Sequence, residues 1–471
     1  TGWQETVPFE KETGLVVPHP KKTNPELFSP FDFDSPIRQF VKAMDMGGIK
    51  VNPQEVVANL QYQAITGVDG RQYVVGFYHL DPNPNQTGET LEGPIPLIIG
   101  KKKEWGWKWE EITRSQLASL SGSKVSTMVE GWRIYQGRNS RLTEIYLKDA
   151  NVHNHDLFGI WDVMEEKQGK FSKEHKKAIY GLDFSITNGK EIEMGFVFWG
   201  LPDRIPNWVK EKMATGTWTI DDLIAYRTNS FLSVEAGRAN IIVVINEALP
   251  HNLGIPNYYL NYLTREEFIE KTFLKIKEAR PQARLAIRDF SIEFDYESNT
   301  NEKSDMMYSI VRDINERYRQ AKGTNLINVV EFQLPLLLPD LIGKDPNMDP
   351  NNFLGDKLSI SMDRLSKNIK RFREIGVDVR ITEFFVPIDL LGRKREEQLR
   401  NQARIYYYVF NTALEAGAEV GTYLPWDADD PYTYPPYDKN TLPYPRDSNF
   451  NPLPSHYAIN SALFRRILSL Q

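Results

Sequence analysis

The sequence predicts an α/β fold in which a (β/α)8 barrel of the TIM type follows a smaller β-rich domain. Beyond about residue 119, eight apolar runs of strand length are interspersed with helical patterns, and eight is the strand number of such a barrel. Before that point, strand follows strand across a loop rich in Pro, Asn and Gly. A doubly wound open sheet is the structural alternative. It is less favoured because no glycine-rich phosphate turn follows any of the strands.

The chain divides into three predicted parts. Residues 1–35 are rich in Pro and Lys with little periodicity, which predicts an extended arm along the surface. Residues 36–118 form the predicted β-rich accessory domain, which contains a hairpin of two strands at 72–78 and 95–99. Residues 119–471 then form the predicted barrel domain.

The barrel elements follow from the periodicity of apolar residues. Strands are predicted at residues 125–128, 157–163, 194–199, 241–245, 283–289, 328–333, 379–382 and 420–423. Helices are predicted at residues 265–279, 303–321, 362–375, 395–415 and 456–469. Gly417 is expected to end the fourth of these helices, because glycine adopts the left-handed conformation that commonly terminates a helix.

Composition excludes several classes of protein. A hydrophobic content of 41% with 25% charged residues is typical of a globular protein, and no uninterrupted apolar run is long enough to span a membrane. The net charge of −6 gives no support to nucleic-acid binding, which needs a clustered basic surface. Because the chain has no cysteine, disulfides, thiolate metal sites and a cysteine nucleophile are all excluded.

Two predicted strands end in a carboxylate. The run 241–245 consists of five branched apolar residues, as in a strand buried on both faces, and it is followed by Asn246 and Glu247. The run 379–382 is followed in the same way by Glu383. Because the carboxyl ends of barrel strands meet at one mouth, we expect Glu247 and Glu383 to form a catalytic pair of acid and nucleophile.

Further side chains are expected at the same mouth, because they too follow predicted strands. The predicted rim consists of Trp199, Asn246, Glu247, Asp289, Gln333, Glu383 and Trp426. Polar residues at strand ends also cap helices or anchor loops, and this plainer interpretation applies above all to Gln333 and Asp289. Trp208 is interpreted as a core residue.

Several segments together resemble the family-10 glycoside hydrolases, the endo-β-1,4-xylanase family. The resemblance covers roughly residues 120–471, in which order and spacing both match. It rests on Asn246-Glu247-Ala248, Ile381-Thr382-Glu383, Phe196-Val197-Phe198-Trp199, Pro206-Asn207-Trp208-Val209, Arg288-Asp289-Phe290, Phe332-Gln333 and Trp426.

The resemblance implies a retaining mechanism on a polysaccharide or oligosaccharide. Glu383 would be the nucleophile, and Glu247 would act first as acid and then as base. Asn246 would hydrogen-bond the 2-hydroxyl of the sugar, and Gln333 would orient Glu383 or the sugar. The walls of the subsite at the reacting sugar would be Trp199 and Trp426. Asp289 would belong to the substrate-binding set.

The chain departs from that family at polar positions around the sugar. Ile160 stands where relatives carry a Lys, and Gly195, Gly200 and Pro335 stand where relatives carry His. We therefore expect the reaction type to be kept, while the substrate is left open between xylan, a different β-glycan and a substituted pentose chain. A non-catalytic glycan-binding barrel is the alternative from another class.

Three further expectations complete the sequence analysis. His153 and His155 have the spacing of metal ligands on one strand face, but a solvated loop is the preferred interpretation because no third ligand is evident apart from Asp156. We expect no metal, no cofactor and a monomer. The chain begins at Thr1 without an initiator Met or an apolar signal segment, as either a processed form or a trimmed chain would, and we expect an extracellular or periplasmic location.

Overall fold

A computed structural model describes most of the chain. The described residues are 24–28, 35–80, 93–104, 106–128, 141–155, 159–235, 237–249, 257–293, 302–335, 358–388, 394–423, 444–447 and 449–471. The predicted arm at 1–35 and the loop that carries Trp426 lie largely or wholly outside these ranges.

The N-terminal part is an antiparallel sheet that follows two short helices. The helices are α1 (Pro36–Met46) and α2 (Pro53–Ala58). Among the described residues of this part, four strands pair in chain order: β1 (Gln61–Thr66), β2 (Gln72–Tyr78), β3 (Ile95–Lys103) and β4 (Gly106–Glu111). The predicted hairpin is therefore present as the antiparallel pair of β2 and β3.

The barrel follows, and its sheet is closed. In the described part of the chain, eight parallel strands pair in a ring. They are β5 (Val125–Met128), β6 (Val152–His155), β7 (Glu191–Met194), β9 (Ile241–Asn246), β10 (Arg284–Phe290), β11 (Val329–Pro335), β12 (Asp378–Phe385) and β13 (Glu419–Tyr423). The two-residue strand β8 (Phe198–Trp199) pairs with the end of β9. The ring closes where β13 pairs with β5, which confirms the predicted (β/α)8 barrel.

Helices alternate with these strands. They are α3 (Arg114–Leu120), α4 (Arg141–Asp149), α5 (Trp161–Met164), α6 (Lys173–Thr187), α7 (Asn207–Ala214), α8 (Ile220–Glu235), α9 (Arg265–Ala279), α10 (Glu302–Lys322), α11 (Leu358–Glu374), α12 (Arg395–Ala416) and α13 (Pro454–Leu468). Local signals fix several of their ends. Thr264 and Glu267 form a reciprocal capping box at the start of α9, and Gly417 ends α12 with a φ of 87°. Among the described helices, none is long and apolar enough to cross a membrane.

Strand β9 shows how the sequence separates the two sides of the barrel wall. Ile241 and Val243 pack with Ala286 and Val329 in a small apolar cluster inside the barrel. Ile242 belongs instead to the large core that the helices share. Both sides are dry, because all six residues of β9 are buried, and this explains why the strand is apolar without alternation.

The second barrel strand was wrongly predicted. It was expected at residues 157–163, but the strand is β6, and residues 161–164 form the short helix α5. His153 and His155 therefore do not lie in a solvated loop. Both are buried on β6, where their rings contact each other with centroids 3.7 Å apart at an angle of 36°, and His153 packs on Tyr146 of α4. Burial lowers the pKa of His155 well below its ordinary value, so the ring is neutral and serves as packing.

The N-terminal sheet packs on the last barrel helices. Phe77 of β2 contacts Phe464 of α13 with ring centroids 5.3 Å apart, and Phe40 of α1 contacts Tyr457 of α13 at 5.1 Å. The Arg400 guanidinium of α12 donates to the carbonyl of Gly47 at 2.7 Å. The two parts of the chain therefore share one apolar core.

Candidate active site

Glu247, which follows β9, and Glu383, which lies near the end of β12, share an unusual backbone conformation. Glu247 has a φ of 54° and Glu383 a φ of 56°, in the left-handed region that residues other than glycine rarely adopt. Such conformations cost free energy and cluster at functional sites, where the surrounding structure enforces them. In Glu247 the enforcing contact is its backbone N–H, which donates to the carbonyl of Arg288 on β10 at 2.8 Å.

The Glu247 carboxyl is half-buried in a ring of donors. The Trp199 indole Nε1 donates to its Oε2 at 2.8 Å, and the side chains of Gln333 and Asn246 also hydrogen-bond to it. Burial raises the pKa of Glu247 above its ordinary value, although these hydrogen bonds and the positive charge of Lys303 act in the opposite direction. A carboxyl that keeps its proton to higher pH is suited to act as an acid.

Gln333 connects the two carboxyl groups. Its Nε2 donates to Oε1 of Glu383 at 2.9 Å, and its side chain also hydrogen-bonds to Glu247. Gln333 lies on β11 and is only 5% exposed, whereas the two glutamates belong to the ends of β9 and β12. One side chain thus links the glutamates, which are 136 residues apart in sequence (383 − 247).

Two buried amide oxygens at this site have no hydrogen-bond partner among the described residues. They belong to Asn246, whose side chain is 2% exposed, and to Gln333. An amide oxygen buried without a donor costs free energy, and the cost is removed when a ligand hydroxyl donates to it. The site is therefore suited to a ligand rich in hydroxyl groups.

Asp289 and Lys303 stand beside this pair and hold the loop after β9. Asp289 is fully buried, accepts from the backbone N–H of Leu249 at 2.8 Å and forms an ion pair with Nζ of Lys303 at 2.7 Å. Burial raises its pKa to about 6, partly offset by Lys303. Since its oxygens are engaged within the protein, these contacts favour the loop-anchoring interpretation of Asp289 over direct contact with substrate.

Apolar side chains border the same site on the side of β8. The rings of Phe196 and Trp199 meet edge to face with centroids 5.1 Å apart, and Ile160 packs against the same cluster. A Cβ atom at Gly200 would lie 2.2 Å from Cγ of Asn257, and one at Gly195 would lie 2.7 Å from Cβ of Val243. The space that larger side chains would need at these two positions is therefore occupied.

The sequence analysis missed the charged residues beneath the site. Nη1 of Arg288 lies 3.8 Å from Oε1 of Glu383, and the same guanidinium pairs with Glu193 and Glu331 inside the barrel. The signal that could have found them is a charged residue at an inward position of an otherwise apolar strand. These residues are Glu193 in β7 and Glu331 in β11, which stand two positions before Gly195 and Gln333. A charge inside an apolar strand is almost never buried without a partner.

Comparison with known proteins decides the family. The sequence profile described as "Glycosyl hydrolase family 10" matches residues 114–462, which is about three quarters of the chain. The chain belongs to glycosyl hydrolase family 10. The match leaves the antiparallel sheet of the N-terminal part, which ends at Glu111, outside the family region.

Individual relatives of this family 10 protein are distant. It is 26% identical over 317 residues to "Endo-1,4-beta-xylanase B" of Thermotoga neapolitana, which covers 65% of this chain and 79% of the relative. It is likewise 26% identical over 329 residues to "Endo-1,4-beta-xylanase 5" of Pyricularia oryzae, with 66% and 71% covered.

Solved structures share the fold. Xylanase 10B from Thermotoga petrophila in complex with xylobiose superposes with a TM-score of 0.60 at 22% identity, covering 76% of this chain and 99% of that one. A glycosylated endo-beta-1,4-xylanase from Gloeophyllum trabeum superposes with a TM-score of 0.56 at 19% identity, covering 74% and 98%.

The predicted rim of the family 10 barrel is thus largely assembled in one place. The side chains of Trp199, Asn246, Glu247, Gln333 and Glu383 are linked by hydrogen bonds, whereas Asp289 is turned to the loop after β9. Trp426 lies outside the described residues. Among the described residues, no group of three or more His, Asp or Glu side chains is arranged to hold a metal ion.

Proposed function

We propose that this family 10 protein is a retaining glycoside hydrolase that cleaves β-1,4 linkages in xylan or a related β-glycan. Glu383 is the nucleophile, and Glu247 is the acid and then the base. The observation that carries the proposal is the Gln333 amide, which hydrogen-bonds to both carboxyl groups. A single amide between two carboxyls is compatible with the roughly 5–5.5 Å separation that retaining glycosidases use.

In the first step, the Glu383 carboxylate attacks the anomeric carbon while Glu247 protonates the leaving glycosidic oxygen. The raised pKa of Glu247 supports this role, because burial favours the protonated form. The products are a covalent glycosyl ester on Glu383 and a Glu247 carboxylate.

In the second step, the Glu247 carboxylate takes a proton from water, which attacks the same carbon and releases Glu383. Two inversions give net retention. The Asn246 amide contributes a hydrogen bond to the 2-hydroxyl, and Gln333 orients Glu383. Trp199 and Trp426 form the walls of the subsite.

Xylan is the first substrate candidate because the relatives described above are endo-1,4-beta-xylanases and one structure contains xylobiose. The apolar border of Ile160, Phe196 and Trp199 favours a second candidate, a different β-glycan or a substituted pentose chain. An apolar surface replaces polar contacts to hydroxyl groups and tolerates an apolar substituent on the sugar.

The proposal is tested by incubation with xylan, mixed-linkage β-glucan and aryl β-xylosides. The wild type and the variant Glu316→Ala, which removes an exposed glutamate of α10, are expected to release sugar from at least one of them. Glu383→Ala is expected to lose activity by a factor of about 10⁴ or more, because the attacking group is gone. Equal, negligible release by all three proteins would leave only the non-catalytic glycan-binding barrel.

The assignment of Glu247 has a separate test. Glu247→Ala is expected to retain activity on aryl glycosides with good leaving groups and to lose it on the natural glycan, since good leaving groups need little protonation. Unchanged activity on both substrate types would remove Glu247 from the mechanism.

We also propose that the protein acts as a monomer outside the cytoplasm, and that residues 36–118 are an accessory domain of the barrel at 119–471. The rings of Phe77 and Phe464 support a stabilising role for this domain. Deletion of residues 1–112 is then expected to lower the melting temperature of the barrel without changing the products of hydrolysis. A loss of glycan affinity at an unchanged melting temperature would instead assign the N-terminal domain to glycan binding. Light scattering of the full chain checks the monomer.

A further inference from the structure

Four charged side chains form an ion-pair network inside the barrel. They are Glu193 of β7, Arg288 of β10, Glu331 of β11 and Arg380 of β12, and none is more than 1% exposed. Arg288 binds Glu193 at 2.6 Å through Nη2 and Glu331 at 2.7 Å through Nε, while Arg380 also pairs with Glu193. Because β7 is not a neighbour of β10 or β12, Glu193 spans the interior of the barrel.

The network is balanced in charge and opens at two ends. Two guanidinium groups and two carboxylates give no net charge to the fully buried set. At one end, Nε of Arg380 binds Oε2 of Glu419 at 2.8 Å, and the Glu419 side chain is 23% exposed near the start of β13. At the other end, Nη1 of Arg288 lies 3.8 Å from Oε1 of Glu383, whose side chain is 12% exposed.

Arg288 thereby contacts both glutamates of the site. Its guanidinium approaches the Glu383 carboxylate, and its backbone carbonyl accepts from the N–H of Glu247. Its remaining guanidinium nitrogens are held by Glu193 and Glu331, so the side chain is fixed from two directions. A planar guanidinium suits such divided binding, because its donors leave in fixed and different directions.

We propose that Arg288 is a positioning residue for the nucleophile. Its guanidinium holds the Glu383 carboxylate ionised and aimed at the mouth, and the interior network holds the guanidinium. The inference rests on the proposed function, since it assigns how Glu383 is prepared to attack.

The charges that face Glu383 act in opposite directions. Arg288 favours its ionised form, because an opposite charge at this distance lowers the pKa of a carboxyl. The Glu247 carboxyl, reached through the shared Gln333 amide, disfavours that form whenever it is itself ionised. Glu193 and Glu331 offset part of the Arg288 charge from below. Arg288 is the cation in direct contact with Glu383 among the described residues, so its removal should dominate.

The test uses a variant that keeps the buried charge balanced. Arg288→Met with Glu331→Gln removes one cation and its neighbouring anion together, so that no bare charge is left to unfold the barrel. The pH profile of kcat/KM is measured on an aryl β-xyloside. The acidic limb of the double variant is expected to lie about 1–3 pH units above that of the wild type, because Glu383 must ionise without the positive charge of Arg288. Below that limb kcat falls about tenfold per pH unit, while KM changes little.

Two further variants separate positioning from stability. Arg288→Lys keeps the positive charge. Its acidic limb is expected to lie much closer to that of the wild type than to that of the double variant. Arg446→Lys alters a buried arginine that binds Asp149. Asp149 precedes the start of β6, whereas the candidate site lies at the other ends of the barrel strands. It is expected to lower the melting temperature and leave the pH profile unchanged. An acidic limb in the double variant that stays at its wild-type position would overturn the proposal.

A second measurement does not depend on turnover. The titration of the Glu383 carboxyl is read from the infrared difference between each protein and the same protein carrying Glu383→Gln. The double variant is expected to titrate this carboxyl about 1–3 pH units above the wild type, and an unchanged titration would contradict the role of Arg288. A shift of this size between the double variant and the wild type, together with a wild type that hydrolyses no glycoside, would count against the proposed function alone.

Discussion

At the scale of single residues, the site combines strain with desolvation. Glu247 sits in a left-handed backbone conformation and is half-buried, and burial raises its pKa. Both features cost folding free energy at neutral pH, where an isolated glutamate would be ionised in water. Residues of this kind persist in a fold when function requires them, and stability is gained when they are replaced.

Glu247→Gln is therefore expected to match or exceed the wild type in melting temperature at pH 7. The raised pKa means that the folded state disfavours the ionised form, so the cost is absent below about pH 4.3 and develops as the pH rises through the folded pKa. The neutral amide avoids this cost and still accepts from Trp199. Differential scanning calorimetry measures the melting temperatures of variant and wild type at pH 4 and pH 7. Glu316→Gln, which replaces an exposed glutamate of α10, is the control. A Glu247→Gln variant less stable at pH 7 than at pH 4, relative to the wild type, would contradict the argument.

Residues at strand ends were predictable from the sequence, whereas their partners were not. Glu247 and Glu383 follow apolar runs, and parallel strands bring such ends together. Arg288 was visible in the sequence, but its partner Glu193 lies 95 residues away on a strand that is not its neighbour. That contact depends on how the barrel closes, which periodicity does not specify. Asp289 depends in the same way on Lys303 of the following helix.

At the scale of elements, long apolar patterns were informative and the short mixed strand was not. Helix α9 begins and ends at the predicted residues 265 and 279. Strand β6, in contrast, contains two histidines and an asparagine and therefore has no apolar run. The strand was predicted at residues 157–163 instead, because those residues are more apolar. Burial lowers the pKa of His155 well below its ordinary value, so this ring takes the place of a hydrophobic residue, which hydropathy alone does not reveal.

The end of α12 gives a test at this scale. Gly417→Ala is expected to destabilise the protein by about 1–2 kcal/mol for the left-handed backbone alone. The methyl group adds to this, because it would lie 2.9 Å from Nε of Arg373. Gly323→Ala is the matched control, since Gly323 follows α10 with a φ of 76° and nothing lies within 4 Å of its Cβ position. Urea denaturation should show the larger loss for Gly417→Ala, and equal losses would remove the Arg373 contact from the account.

At the scale of the whole molecule, a buried cluster joins the start of the barrel to its last helix. Asp149 of α4 accepts from Nε and Nη2 of Arg446 at 2.6 and 2.9 Å, and Arg114 of α3 lies 3.8 Å away. Nη2 of Arg114 also contacts Nδ1 of His456 on α13 at 2.7 Å. Burial acts to raise the pKa of Asp149, but the two arginines outweigh it and hold that pKa well below its ordinary value.

Asp149→Asn is expected to destabilise the protein by about 3–5 kcal/mol at neutral pH, because it leaves buried arginines without a counter-ion. A depressed carboxyl pKa contributes stability above the unfolded pKa of about 3.9, and this stability is lost as the pH falls further. The gap between variant and wild type should therefore narrow below about pH 4.

The matched control for this cluster is Asp183→Asn, which breaks an exposed pair with Arg238 and is expected to cost at most about 1 kcal/mol. Thermal melts of the three proteins between pH 3 and pH 7 make the comparison. Similar losses for both variants, or a gap that is independent of pH, would contradict the role of the buried cluster.

The carboxyl pair is tested most directly by trapping the glycosyl-enzyme. A 2-deoxy-2-fluoro-β-xylobioside with a dinitrophenolate leaving group should inactivate the wild type. The fluorine slows both steps, whereas the dinitrophenolate leaving group keeps the first step fast enough for the glycosyl-enzyme to accumulate. Peptide mass spectrometry is then expected to find one fluoroxylobiosyl group per chain, on Glu383. A label on any other residue, or turnover of this compound with inversion and without a label, would contradict the assignment of Glu383 and Glu247 as nucleophile and acid.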